Sequence, residues 1–329
     1  MKPWMKLNGL LITLLAALFV APLQAMAAAG DDYPARPVRL LVPNPPGGGS
    51  DAVARILAQK LTERFSQQFV VDNRAGGGGI IANETVARAN PDGYTLLLAF
   101  IGPVAISPAL TKVPYDSVKD FAPVALTAAG QYMLVLHPSV PAKSLKDFVA
   151  YAKANPGKIN YASAGNGSPL HLAAELFKSR AGINMTHIAY KGGGPATAAI
   201  LAGEVQAVFG SLTSAIPQVR AGKLTALGVT GAARSPLAPE FATIAELGFP
   251  GFEITSWYGV LAPARTAPVI ITRLNGALNE ALRAKDVIDS LRRQGLDATG
   301  GTPELFAAHI KSELAKWAKV VKDGNIRAD

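Results

Sequence analysis

Three glycine-rich segments are the residues with the clearest chemical potential, because each follows an apolar strand pattern and opens a helical pattern. They are Gly47–Asp51, Gly165–Ser168 and Gly192–Ala196. Glycine lets the backbone approach a ligand closely, and the first turn of a helix offers unpaired N–H groups and a partial positive charge. Such N-termini facing one cleft can hold a carboxylate without lysine or arginine. Glycine can also serve only to turn the chain, but three segments with Ser50, Asn166 and Ser168 as added polar groups favour a binding site.

Enzymatic chemistry has little support in the sequence. The patterns G-x-S-x-G, H-E-x-x-H and G-x-x-x-x-G-K-[ST] do not occur. The four histidines show no ligand spacing, so we expect neither a metal nor a cofactor. One motif favours a different class: Gly47-x-Gly49-x-x-Ala52, with Asp72 ending the next strand, matches a dinucleotide-binding unit. Pro45 and Pro46 lengthen that turn, so an exported or nicotinamide-dependent α/β enzyme is kept only as the alternative.

The amino end predicts export. Residues 1–10 carry two lysines, Leu11–Ala21 is almost wholly apolar, and Ala25-Met26-Ala27 provides a small-residue cleavage site. This order is typical of a signal peptide, and the apolar run is shorter than the ~20 residues that span a bilayer. We therefore predict a signal peptide over residues 1–27 and a periplasmic mature protein.

Charge and composition further limit the functional classes to which the protein can belong. Removing two lysines takes the net charge from +9 to +7 over 302 residues (329 − 27). No three Lys or Arg residues are adjacent, so nucleic acid is not an expected partner. The excess of positive charge serves solubility or attracts anions weakly. The chain has no cysteine, so its stability must come from apolar cores, and 49% hydrophobic residues are enough for two.

Strand and helix patterns alternate along most of the chain. The first succession is Val38–Val42, Asp51–Phe65, Phe69–Val71, Ile80–Ala89 and Tyr94–Phe100. It predicts a parallel sheet with helices on its faces. The alternation restarts near Gly130, with the next strand at Tyr132–Leu136, and it breaks at Ser235–Pro250. The last third is predicted to be mostly helical, and Thr302 and Pro303 open its final helix.

This order predicts an α/β protein of two lobes with a discontinuous first lobe. Lobe 1 would comprise residues 28–129 and 255–329, and lobe 2 residues 130–254. The helical tail would return to lobe 1, and the chain would cross between lobes near Ala128–Gly130 and Ile254–Ser256.

Several motifs resemble those of one receptor family. They are Val42–Asp51, Glu84–Thr95, Val113–Asp116, Asn160–Ser168, Tyr190–Gly193 and Ser256–Gly259. From about Tyr33 to the carboxyl end, the chain resembles the receptors of tripartite tricarboxylate transporters, known as Bug proteins. The resemblance implies a type II-like periplasmic binding protein, with a mostly parallel sheet in each lobe and the ligand in the interlobe cleft. It also implies that the receptor is not an enzyme and that the permease subunits of such a transporter are its partners.

The resemblance also implies a set of ligand-binding residues, which grip one carboxylate partly through ordered water. The first loop contributes Gly48, Gly49, Ser50 and Asp51 to this grip, and the second lobe contributes Asn166, Gly167 and Ser168. The residues implied to close the pocket are Gly193, Gly194, Pro195, Gly210 and Ser211. Aromatic candidates for the pocket are Phe100, Tyr132, Phe209, Trp257 and Tyr258, of which we include Phe100 and Trp257 in the predicted site. For each aromatic residue, core packing is the competing interpretation.

One departure from the family bears on the ligand. Many members have an aspartate where this chain has Gly210. A desolvated ammonium group needs an acidic partner or several acceptors, so we predict a small carboxylate without an amine, an organic or aromatic acid. The competing interpretation is that the family's aspartate is only a turn residue, in which case Gly210 does not bear on the ligand. We expect a monomer that delivers this ligand to a permease. A receptor that feeds a sensor protein is the other non-enzymatic possibility.

Overall fold

The computed structural model describes residues 33–190, 192–323 and 326, so the predicted signal peptide lies outside it. The strands are β1 Val38–Val42, β2 Phe69–Asn73, β3 Thr95–Phe100, β4 Phe121–Leu136, β5 Asn160–Ser163, β6 Thr186–Ala189, β7 Ala207–Ser211, β8 Thr225–Val229, β9 Thr255–Pro263 and β10 Asp297–Ala298. The helices are α1 Gly49–Phe65, α2 Ile80–Ala87, α3 Ser107–Leu110, α4 Leu145–Ala154, α5 Pro169–Ala181, α6 Gly193–Leu201, α7 Leu212–Arg220, α8 Pro268–Arg283, α9 Lys285–Arg293 and α10 Pro303–Asp323. None of the helices in these ranges is long and apolar enough to cross a membrane.

The strands form one continuous path in the order β2-β1-β3-β9-β4-β7-β5-β6, and β8 and β10 each pair with β4. Pairing is parallel where the βαβ patterns predicted it, between β1 and its neighbours β2 and β3, and between β5 and its neighbours β6 and β7. Every pairing of β4 and β9 is antiparallel. The prediction of mostly parallel sheets is therefore wrong in part, and the sheets are mixed.

Strand β4 is continuous through the point where the sequence suggested a break. Gly130 lies inside it and pairs with Ser256 of β9. A Cβ atom at Gly130 would lie 2.9 Å from the Gly295 carbonyl oxygen and 2.7 Å from Leu296 Cδ2. The glycine therefore permits close approach of β10 and its preceding loop, and it does not turn the chain.

Two sheets share β4. Sheet 1 contains β1, β2, β3, β9 and β10 with residues 121–131 of β4, and sheet 2 contains β5 to β8 with residues 132–136 of β4. The two points where the sequence predicted crossings, Ala128–Gly130 and Ile254–Ser256, thus lie beside each other on paired antiparallel strands. Sequence reasoning missed β9 because a central strand that is buried on both faces shows no alternation of apolar and polar residues.

The predicted helical stripes form the cores. Val53, Leu57 and Leu61 of α1 are fully buried against sheet 1, and the elements of the first succession end within two residues of their predicted bounds. In α10, Phe306 and Trp317 are buried, and Thr302 Oγ1 accepts a hydrogen bond from the Leu305 N–H at 3.3 Å. Helix α10 packs on β4, on α3 after β3 and on α5 of sheet 2, so the tail contacts elements of both sheets.

Candidate functional site

The carboxyl ends of β1, β2 and β3 meet at one edge of sheet 1 because these strands are parallel neighbours. The loops that follow them converge on Gly79. A Cβ atom there would lie 3.1 Å from Pro43 Cβ and 3.0 Å from Pro103 Cγ, and the residue has φ +97°. Glycine is therefore required both by the close approach and by the backbone conformation.

The first predicted loop is held by side chains on both of its sides. Asn44 Nδ2 donates to Ser50 Oγ at 2.7 Å, and Asn73 Nδ2 donates to the Asn44 carbonyl oxygen at 3.0 Å. Ser50 is buried, so its hydroxyl orders the loop in addition to any contact with a ligand. Sequence reasoning missed Asn44 and Asn73, although Asn44 lies within the Val42–Asp51 motif that carried the resemblance.

Asp51 orders the same turn from inside the helix. Its Oδ2 accepts hydrogen bonds from Arg55 Nε at 2.9 Å and from the Gly47 N–H at 3.0 Å. The Arg55 guanidinium holds the pKa of Asp51 below its ordinary value; burial opposes this shift and the Gly47 N–H adds to it. Asp51 is only 4% exposed. Arg55 and the Gly47 N–H therefore compensate this negative charge through Oδ2, while Oδ1 has no hydrogen-bond partner among the described residues.

The amino end of α1 is open. Gly48 occupies the N-cap position, and no side chain of the described residues caps it. Gly48 and Gly49 are both exposed. The first-turn N–H groups and the positive end of the helix dipole therefore face a space that an anion can enter.

Sheet 2 repeats this arrangement. Strands β7, β5 and β6 are parallel neighbours, so their carboxyl ends also lie at one edge. A Cβ atom at Gly165 would lie 3.5 Å from the Tyr190 carbonyl oxygen, and the Tyr190 N–H donates to the Ser163 carbonyl at 3.1 Å. The structure thus brings the predicted loops after β5 and β6 together. Ser211 ends β7 and caps α7 by accepting from the Ser214 N–H at 3.4 Å.

Two histidines, which sequence reasoning did not select, fix the loop after β5. The Gly167 N–H donates to His171 Nδ1 at 3.1 Å. Ser163 Oγ accepts from the Gly165 N–H at 3.1 Å and lies 2.6 Å from His187 Nε2. The two imidazole rings stack with centroids 4.0 Å apart. No spacing in the sequence indicates this pair, because β6 brings His187 to His171 only in the folded chain.

The remaining predicted residues of sheet 2 differ in exposure. Ser168 caps α5 by accepting from the His171 N–H at 3.3 Å, whereas Asn166 is exposed. Gly193, Gly194 and Pro195, in the first turn of α6, are also exposed, and a Cβ atom at either glycine would have no neighbour within 4 Å.

Gly210 is buried in β7 opposite Met133. A Cβ atom there would meet Ser214 Oγ at 3.5 Å and Ala215 Cβ at 3.6 Å, which are ordinary contacts. The structure therefore leaves room for the Cβ atom of a side chain at this position.

The two edges approach each other. A Cβ atom at Gly167 would lie 3.0 Å from Leu110 Cδ1, so the loop after β5 touches the segment that follows β3. A Cβ atom at Gly49 would lie 3.4 Å from Tyr258 Oη. The loop after β5 thus contacts the segment after β3, and the open end of α1 lies beside Tyr258 of β9. The region that these two loops border is the candidate site.

The aromatic predictions need a correction. Trp257 is fully buried, and its Nε1–H donates to Glu313 Oε2 of α10 at 3.2 Å, so its side chain packs in the core. Successive side chains of a strand point to opposite faces, and Tyr258 is the one that reaches Gly49. Phe100 is partly exposed and pairs with Tyr258 across the strands. Phe209 packs edge-on against Phe177 in the core.

No group of three His, Cys, Asp or Glu side chains suited to a metal ion occurs in the described part of the chain. The arrangement offers hydrogen-bond donors and a helix dipole, so it is suited to binding an anion.

Comparison with known proteins identifies the family. The sequence profile described as "Tripartite tricarboxylate transporter family receptor" matches residues 53–326. BugT of Bordetella pertussis is 39% identical over 301 residues, 91% of this chain and 92% of that protein. The structure of R. palustris Rpa4515 with adipate has a TM-score of 0.77 at 36% identity and covers 90% of this chain and 99% of that one. MatC of Rhodopseudomonas palustris with bound malate has a TM-score of 0.74 at 32% identity and covers 88% and 100%.

These similarities confirm the predicted α/β fold of a two-lobed, type II-like periplasmic binding protein. The family consists of periplasmic solute-binding receptors, which excludes the alternative of a nicotinamide-dependent enzyme. The chain belongs to the tripartite tricarboxylate transporter receptor family.

Proposed function

We propose that this receptor captures a small carboxylate between the loop Gly48–Asp51 and the loop Asn166–Ser168. The observation that carries the proposal is the open N-terminus of α1, which is ordered by the buried side chains of Ser50 and Asp51 and lies beside Tyr258 of β9. The relatives with bound adipate and malate support the same ligand class.

The proposed binding of the carboxylate depends on the pairing of Asp51 with Arg55. Because Arg55 and the Gly47 N–H satisfy Asp51 Oδ2, the first-turn N–H groups of α1 stay available for a ligand. Hydrogen bonds between N–H groups and an ionised acceptor are about twice as strong as neutral ones. From sheet 2, the side chains and N–H groups of Asn166 to Ser168 would complete the contacts.

The lobes are proposed as residues 28–129 with 255–329, and residues 130–254. The division of strands into sheet 1 and sheet 2 supports these bounds, because the strand pairings of β5 to β8 in the described part of the chain are with one another and with β4. Both proposed crossings lie on the paired strands β4 and β9.

The proposed ligand lacks an amine. Gly210 provides no carboxylate to pair with an ammonium group, and Asp51 is already engaged by Arg55. Phe100 and Tyr258 border the region with apolar surface, which suits an organic or aromatic acid. Gly193, Gly194, Pro195 and Ser211 are proposed to close the pocket from the side of sheet 2.

We also propose that a signal peptide at residues 1–27 directs export of the receptor. The receptor then delivers its ligand to the permease subunits of a tripartite transporter. We propose that the receptor acts as a monomer. The family membership supports the partnership.

A ligand screen tests this function. The purified protein is heated with adipate, malate, benzoate, citrate, aspartate or glutamate, and each compound that raises the unfolding temperature is then measured by calorimetry. A ligand at a hundredfold excess over its Kd stabilises the native state by about 2.7 kcal/mol. We expect at least one non-amine acid to bind in the micromolar range, whereas binding of none of the acids would refute the proposal.

A further inference from the structure

Tyr258 stands apart from the other aromatic residues because its hydroxyl reaches the open end of α1. The distance of 3.4 Å between Oη and the Cβ position of Gly49 is that of an ordinary contact. No side chain can come between them, since residue 49 is glycine. A ligand group that contacts the N–H groups of this turn therefore lies within reach of the hydroxyl.

The backbone of Tyr258 is fixed and its side chain packs against the core of sheet 1, whereas its hydroxyl is unengaged. Tyr258 lies inside β9, between Phe100 of β3 and Ala128 of β4, and its carbonyl oxygen accepts a hydrogen bond from Thr127 Oγ1 at 3.0 Å. Burial raises the pKa of the hydroxyl, so it is a protonated donor at neutral pH. Within the described ranges the hydroxyl makes no hydrogen bond, although the residue is partly exposed. A fixed donor with a free proton is suited to bind an acceptor.

We infer that Tyr258 is a specificity-determining residue, whose hydroxyl donates a hydrogen bond to the carboxylate held at the N-terminus of α1. This inference rests on the proposed function. It adds a side-chain donor to a set of ligand contacts that otherwise consists largely of backbone N–H groups. It also gives a reason for glycine at position 49, because a branched side chain there would cover the hydroxyl.

The test compares Tyr258→Phe with Tyr94→Phe by calorimetry. Tyr94 is the matched control, since its hydroxyl accepts from the Ala35 N–H at 3.0 Å near the opposite edge of sheet 1. The probes are adipate and its uncharged diamide, adipamide. Loss of a hydrogen bond to a charged group predicts a 10- to 100-fold rise in Kd for adipate, with ~10-fold or less for adipamide. Tyr94→Phe should leave both values within about twofold of those of the native protein.

Each result has one meaning. An unchanged Kd for adipate in Tyr258→Phe would overturn the inference and leave the proposed function intact. An equal loss for both probes, or a lowered unfolding temperature of the unliganded variant, would assign Tyr258 a structural role and also overturn it. If the native protein does not bind adipate, the same pair of variants is measured with the acid that the screen selects and its amide. Failure of every acid in the screen overturns the proposed function and this inference together.

Discussion

The two edges that border the candidate site are built differently. At sheet 1, buried side chains hold the loop after β1, and glycine at position 79 lets three loops pack together. At sheet 2, two histidines and the Ser168 cap hold the loop after β5, but the first turn of α6 is exposed and has no neighbours at its glycines. One edge is formed before a ligand arrives, and the other is formed only in part.

Because they differ in this way, the two edges are expected to contribute differently to the free energy of ligand binding. A preformed edge loses little conformational freedom when a ligand binds, so its contacts contribute to affinity almost in full. An open edge loses conformational entropy when a ligand binds. This entropic cost offsets part of the favourable binding free energy of its contacts. We therefore expect substitutions at sheet 1 to change affinity more than equivalent substitutions at sheet 2.

The largest effect is expected from Gly49→Val. The added methyl groups would meet Tyr258 Oη and cover the first-turn N–H groups of α1, so Kd should rise by about 100-fold or more, equivalent to ~2.7 kcal/mol. Gly194→Val is the matched control, because a Cβ atom there has no neighbour within 4 Å. It should change Kd by less than about fivefold. Calorimetry with the selected acid measures both, and equal effects would contradict the contrast between the edges.

The next effect concerns stability. Asp51→Asn removes the ion pair between the buried Asp51 carboxylate and the exposed Arg55 guanidinium, and we expect a loss of about 1–2 kcal/mol of unfolding free energy at pH 7. Because the pKa of Asp51 is lowered in the folded state, this stabilisation is present above about pH 4 and is lost as the pH falls through the folded value. Urea unfolding at pH 7 and pH 3 should show the gap between native and variant closing.

Asp92→Asn serves as the control for that measurement. Its ion pair with Arg36 has both side chains well exposed, so the cost should be about 0–1 kcal/mol. A cost for Asp51→Asn no larger than this, or a gap that widens at pH 3, would show that Asp51 does not order the first loop.

A smaller effect is expected from His171→Leu at sheet 2. The variant removes the acceptor for the Gly167 N–H, a neutral hydrogen bond, so Kd should rise by about 2- to 10-fold. His137→Leu is a suitable control, because His137 contacts Ser139 on the surface. A rise as large as that of Gly49→Val would mean that the loop after β5 dominates binding.

The smallest effect is expected from Gly210→Asp, which restores the residue that many family members have. The Cβ atom fits with ordinary contacts, and the new carboxylate could pair with an ammonium group. Aspartate or glutamate should then bind more tightly by several-fold, equivalent to about 1 kcal/mol. Micromolar binding of an amino acid by the native protein, with no gain in the variant, would discard the prediction of a ligand without an amine.

Local patterns predicted much of this molecule. Three features depend on residues that are close together in the sequence: the glycine segments after strands, the apolar stripe of α1 and the N-cap of α10. Such local patterns can be recognised from the sequence alone. The continuous β4 could not be predicted, because Gly130 resembles a turn residue until β10 lies against it. Trp257 and Tyr258 could not be told apart, since only the position of α10 decides which of the two faces the core.

The shared strand β4 limits how the two sheets can rotate. Strand β4 continues from sheet 1 into sheet 2, and at the junction Gly130 and Gln131 pair with Ser256 and Thr255 of β9, so these residues form a short two-stranded ribbon where the sheets meet. A ribbon twists about its length far more easily than it bends within its plane, since in-plane bending must stretch one strand and compress the other. Rotation of sheet 2 against sheet 1 thus has one soft direction, a torsion about the ribbon axis. The register of β4 against β9 shifts between Pro123 and Ala125 and again between Leu126 and Ala128, on the sheet 1 side of this ribbon, where bulges increase local twist.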